Sequence, residues 1–160
     1  MSEAIVVSDT SPLNYLVQIG SIDLLNRLTS SVLIPPEVAM ELSHPKAPGL
    51  VRAWLTNPPP WLRIVAPERV DDRLQLDRGE ASAISLALER GIRNILIDER
   101  KGFEAAKSWG LEPFGTLAIL EVSARRGLVD FDDAVRRLRD TNFHCAERLI
   151  SEARARLLPE

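Results

Sequence analysis

The sequence predicts a three-layer α/β/α fold in which a central parallel sheet is covered on both faces by helices. Segments of strand character alternate with segments of helical period along most of the chain, the signature of right-handed βαβ units. The strand segments are short unbroken apolar runs rather than alternating ones, as strands buried on both faces require. Two of them, at residues 4–7 and 94–97, are followed closely by an acid, Asp9 and Asp98. In open α/β sheets the crevice just past the carboxyl ends of the central strands is where ligands bind.

The elements follow in order. Residues 4–7 form the first strand. Ser11 is expected to cap the first helix and Pro12 to open it, with Leu13, Leu16 and Val17 at helical spacing until Gly20. Ser21 caps a short second helix reaching Leu28, and Val32, Leu33 and Ile34 form a strand halted by Pro35 and Pro36. A third helix carries Glu37 and Glu41. Residues 46–60 hold a helical piece around Trp54 and a triple-proline break, and residues 61–65 a strand with a loop-like flank. The strongest helix opens at Asp77-Arg78-Gly79-Glu80, runs through Ala81, Ile84 and Leu88, and stops at Gly91. After the strand at 94–97 comes a helix over 99–109, ended by Gly110. Glu112-Pro113-Phe114 is a short edge strand, and Thr116 starts a helix that ends at Gly127. Residues 130–158 read as two helices without strands, the second bearing Arg148, Arg154 and Arg156. The expected organisation is an α/β domain over 1–127, with a C-terminal helical appendage at 128–160 that extends the same domain.

Composition narrows the function. At 160 residues and 17.8 kDa the chain fits one domain with a sizeable core. It has no run of ~20 apolar residues, and Met1-Ser2-Glu3 lacks a basic leader; a soluble, cytoplasmic protein is expected. The single Cys145 forms no internal disulfide and reads as a small apolar residue. A net charge of -3 argues against holding nucleic acid by bulk electrostatics. It is compatible with a nucleic-acid enzyme whose carboxylates bind metal, because bound divalent ions reverse the local field. The cations are 17 Arg and 3 Lys, and Arg suits phosphate and carboxylate partners equally.

Taken singly, each candidate acid has a structural role. Asp9 suits an Asx turn, and Asp98 a cap on the helix that follows. Glu37 lies in a first helical turn, where an acid stabilises the macrodipole; Glu41, one turn on, lies near the other end, where it does not, and asks for another explanation. Glu80 falls at N3 behind Asp77 and completes a capping box. Together they form a set of hard oxygen donors from separate elements, which suits Mg²⁺ or Mn²⁺, and no His/Cys set has zinc spacing.

In the order and spacing of its motifs over residues 4–127, the chain resembles the PIN-domain family, specifically the VapC-like toxins of bacterial and archaeal toxin–antitoxin pairs. The resemblance is carried by Val7-Ser8-Asp9-Thr10-Ser11-Pro12-Leu13, by Ile34-Pro35 with Val38 and Glu41-Leu42, and by Gly79-Glu80-Ala81 with Ala83-Ile84. Leu96-Ile97-Asp98-Glu99-Arg100-Lys101-Gly102, Gly115-Thr116 with Ile119-Leu120, and Gly127-Leu128 continue it. It implies a PIN-like fold with a metal-binding quartet of Asp9, Glu41, Glu80 and Asp98 that holds Mg²⁺ or Mn²⁺. Thr10 or Ser11 would assist, and Glu99 is a further candidate. The implied reaction is hydrolysis of RNA phosphodiester bonds by the toxin of a type II pair, a homodimer held inactive by a small cognate antitoxin. The chain departs from the pattern in two places. VapC-type proteins mostly place Asp where Glu80 stands, and the Arg-Asp-x-Asp-Phe-like stretch is absent.

Two other readings compete: a non-catalytic PIN-like scaffold that works by binding, and a receiver-like Mg²⁺-binding module. The second lacks the paired acids and the late-strand Lys that receivers carry. Nucleophilic catalysis has no support, because His144 and Cys145, expected on a helix, would point about 100° apart.

Overall fold

The computed structural model describes residues 4–159. Its five strands are β1 (Ile5–Ser8), β2 (Ser31–Ile34), β3 (Leu62–Ile64), β4 (Asn94–Leu96) and β5 (Glu112–Phe114). They form one sheet of order β3-β2-β1-β4-β5, and every pairing is parallel. β1 is central, with Val6 opposite Val32 on one side and Val7 opposite Ile95 on the other. The chain winds outward from β1 to β3 and then returns to add β4 beside β1. The junction of β1 and β4 is therefore the topological switch point of the sheet.

Nine α-helices are described: α1 (Thr10–Gln18), α2 (Leu24–Leu28), α3 (Pro36–Leu42), α4 (Gly49–Thr56), α5 (Arg78–Arg90), α6 (Arg100–Ser108), α7 (Thr116–Arg125), α8 (Phe131–Arg139) and α9 (Glu147–Leu157). The period of two along each strand sorts them into layers. Val6, Val32, Ile34 and Leu96 pack with α1 to α4 and with α7 to α9. Val7, Leu33, Ile95 and Ile97 face the other way, onto α5 and α6. This is the expected three-layer fold. Phe131, Val135 and Leu138 of α8 and Ile150 of α9 are buried in the same cluster as Leu13 and Leu120. Pro113 sits in edge strand β5, where its missing N–H costs no ladder bond.

Four local expectations are corrected. The second helix begins at Leu24, so its N-cap position is Asp23 and not Ser21. The first helix begins at Thr10, so its N-cap is Asp9 and not Ser11. Asp9 still belongs to the sheet through its N–H, which donates to Leu96 O at 2.8 Å, and the helix starts at the next residue. Pro12 then falls third in the helix, where backbone N–H groups have no intrahelical partner to lose. Asp98 does not cap the helix after it; Glu99 holds that position. His144 and Cys145 lie between α8 and α9, outside any helix. The Thr141 hydroxyl accepts the Phe143 N–H at 3.1 Å and so offers the backbone an alternative to continuing α8.

Candidate active site

The acids past the strand ends are delivered by three elements. β1 runs straight into the α1 cap, which leaves Asp9 at the sheet edge, only 6% exposed. Pro35 and Pro36 stop β2 and start α3, which carries Glu41 on its last turn. Asp77 caps α5, its carboxylate accepting the Glu80 N–H at 2.8 Å, and fixes the first turn that holds Glu80.

Asp9, Thr10, Ser11, Glu41, Glu80 and Glu99 line one cleft of ≈ 390 Å³. The Thr10 hydroxyl donates to Glu41 Oε2 at 2.7 Å. Glu37, which spacing could not separate from Glu41, is instead engaged by Arg78 at 3.2 Å. Asp98 lines a neighbouring cleft. Its two oxygens accept the Thr116 N–H and hydroxyl, both at 2.7 Å, so Asp98 caps α7 from another strand end. Its charge still reaches Asp9.

The electrostatics are those of crowded, poorly hydrated carboxyls. Burial pushes Asp9 up to about 7, against the pull of the Thr10 backbone N–H, and the charges of Glu41, Asp77 and Asp98 add to the rise. Burial also dominates at Glu80, where a bond with the Asp77 carboxyl and the charges of Asp77, Asp9 and Glu99 bring it to about 9. Glu80 is 6% exposed, and its Oε2 is buried with no hydrogen-bond partner. For Asp98, burial raises the pKa while the two Thr116 bonds lower it, and the net direction is upward.

Three glycines make room for these acids. A Cβ on Gly79 would collide with Glu41 Oε1 and lie 3.6 Å from Asp9 Oδ1. One on Gly102 would collide with Glu80 Oε2, and one on Gly115 would stand 2.9 Å from Asp98 Oδ1. Sequence reasoning had passed over this cradle. Gly79 and Gly102 occupy first helical turns, where Gly costs stability relative to Ala, and that cost was a readable signal. Two further residues of the acid cleft were also missed. Asp77, a cap by its sequence context, also faces the cleft, and Lys101 lines it too. Gln75, on the rim, has φ 50°, the sole positive φ among described non-glycine residues; only the structure reveals it.

A parallel α/β domain whose cleft past the central strand ends is lined by acids is the class these features define. A family model described as a PIN domain matches residues 5–158, through α8 and α9, and the chain belongs to the PIN-domain family. PIN domains are generally nucleases and typically use divalent metals. No curated protein and no solved structure gave a match. Among the described residues no helix is long and apolar enough to cross a membrane.

Proposed function

We propose that the chain is a metal-dependent endoribonuclease that hydrolyses RNA phosphodiester bonds. The observation that carries this reading is the gathering of Asp9, Glu41 and Glu80 from three separate elements into one cleft, with a Glu80 oxygen buried and unpartnered. A purely structural sheet edge gains nothing from such crowding, which holds two carboxyls far above their ordinary range.

The donors fit Mg²⁺ or Mn²⁺, because all are hard carboxylate or hydroxyl oxygens. Among the described residues no three acids stand close enough to grip an ion as they are. Asp9 and Glu80, whose carboxyls burial pushes above the ordinary range, would release protons when they hold such an ion. Asp9, Glu41 and Glu80 would hold the ion, with Asp98 at the border of the cleft as the fourth acid and Glu99 beside them. Such an ion, when bound, neutralises phosphate charge and activates water for in-line attack. The protein positions the rest. Thr10 fixes Glu41 and Thr116 fixes Asp98, while Asp77 fixes the turn that carries Glu80 by accepting its N–H. Lys101, which makes no ion pair among the described residues, meets the incoming phosphodiester.

The finer reading is the toxin of a type II pair, a homodimer restrained by a small cognate antitoxin. It rests on the likeness of motif order to VapC-like proteins. Met40 on α3 and Leu50 on α4 are 69% and 66% exposed, apolar surface of the kind association uses. An Arg or Lys from the antitoxin would compete with metal in the cleft.

Glu80→Gln tests the reading, since Gln keeps an N3 cap but lacks the charge that holds a hard cation. Mn²⁺ titration by calorimetry in two buffers should show proton release for the parent and sharply weaker binding for the variant, with RNA cleavage lost in parallel. Parent-like titration and cleavage by Glu80→Gln would remove Glu80, and with it the buried unpartnered oxygen that carries the reading, from the mechanism.

A further inference from the structure

Beside the acid cleft lies a second, of ≈ 520 Å³, walled by α6, α7 and residues 143–149. The first turn of α6 is the ridge between them. Lys101 lines the acid side and Phe103 the other, as expected of residues about 200° apart on a helix. Asp98 lines the second cleft while its charge is felt at Asp9, so the two clefts meet at the ends of β1 and β4.

The second cleft is lined mainly by aromatic and aliphatic side chains, with a few polar groups among them. Phe103, with the Lys107 ammonium 5.7 Å from its ring centroid, and Phe143 both line it, together with Ile97, Leu117 and Leu149. The Phe143 ring is held edge-on to Tyr15, centroids 5.0 Å apart, and so is fixed before any ligand arrives. The one guanidinium in the cleft, that of Arg156, donates to both Glu121 oxygens at 2.9 and 2.7 Å. Its charge is already matched, and Asp98 repels anions. Among the described residues that line the cleft, no Lys or unpaired Arg is left for a phosphate. A nucleobase, with apolar faces and a polar rim, matches these walls.

We propose that this cleft seats an unpaired nucleobase of the substrate strand against Phe103 and Phe143, while the adjoining phosphodiester crosses the α6 ridge to the acid cleft beside Lys101. The inference rests on the nuclease reading and deepens it with a base subsite beside the acid cleft, in which aromatic rings take the face of the base.

The test is fluorescence-anisotropy binding of two probes to the full-length Asp9→Asn protein, in which cleavage is silent. One probe is a short oligoadenylate, and the other is an abasic ribose-phosphate oligomer of equal length and charge. The oligoadenylate should bind about 10-fold more tightly. Phe103→Leu and Phe143→Leu, each added separately, should erase most of that difference, and Phe103→Tyr should keep it. Equal binding of the two probes by the Asp9→Asn protein would overturn the base subsite and leave the nuclease reading standing. So would a base preference untouched by both leucine variants. Binding of neither probe would overturn both readings.

Discussion

Gly102→Ala sets helix propensity against the site. In the first turn of α6, Ala is favoured over Gly by up to about 1 kcal/mol. A Cβ at this position would, however, run into Glu80 Oε2 and stand 2.6 Å from Ile97 Cδ1. Both atoms are buried side-chain ends, so α6 keeps its place while Glu80 and Ile97 are pushed aside. Overpacking of this kind costs about 1–3 kcal/mol. The net result should be a loss of about 1–2 kcal/mol, seen as a Tm lower by roughly 3–6 °C in EDTA. Displacing the Glu80 carboxyl should also weaken Mn²⁺ binding by about 10-fold or more. Glu80→Asp withdraws the carboxyl by one methylene and should relieve the collision. In a double-mutant cycle the pair should therefore be more stable than the two single effects sum to, by about 1 kcal/mol. A Gly102→Ala protein more stable than the parent, with an unchanged Mn²⁺ isotherm, would refute the argument.

Other substitutions probe neighbouring parts of the site. Asp9 titrates near 7 in the folded chain against an ordinary 3.8, so the folded state holds a proton the unfolded state has released between those values. Stability of the metal-free protein must then fall as pH climbs from about 4 to about 7. Asp9→Asn, lacking that slope, should be more stable than the parent near pH 8 by a few kcal/mol and similar near pH 4, a comparison that urea unfolding at the two pH values decides. Lys101→Gln should weaken RNA binding and lower the slope of log affinity against log salt by about 0.7, whereas a residue that only tempers the acids would leave the slope unchanged. Thr116→Val removes the hydroxyl given to Asp98 while leaving the N–H bond. It should cost about 1.5–3 kcal/mol in chemical denaturation, and Thr116→Ser should recover most of it.

The sheet and its layers were legible because parallel strands buried on both faces have an unmistakable pattern: Val6-Val7, Val32-Leu33-Ile34 and Ile95-Leu96-Ile97 can only be interior. The cap at Asp77 and the stop at Gly91, with φ 65°, were readable for the same reason, since local chemistry fixes them. What sequence could not supply was tertiary. Glu37 and Glu41 share a helix face, and only the placement of Arg78 across from α3 separates them. Asp98 lies next to Glu99 in sequence, yet it serves α7 because parallel β4 and β5 bring Gly115 beside it. Loop 140–146 escaped its helical reading through one hydroxyl, Thr141, that captures a nearby N–H.

The central position of β1 also bears on the order in which the molecule can come into being. The first strand of the chain to be synthesised pairs on one side with β2, soon afterwards, and on the other with β4, Val7 meeting Ile95. Until β4 has been made, a nascent chain has β1 with one open edge, no strand end carrying Asp98 or Glu99, and an α5 that lacks β4 and α6 to pack against. Contacts between such distant segments also close slowly. An unfinished chain is thus structurally incapable of assembling the acid cleft, and competence arrives late, with the second half of the sheet.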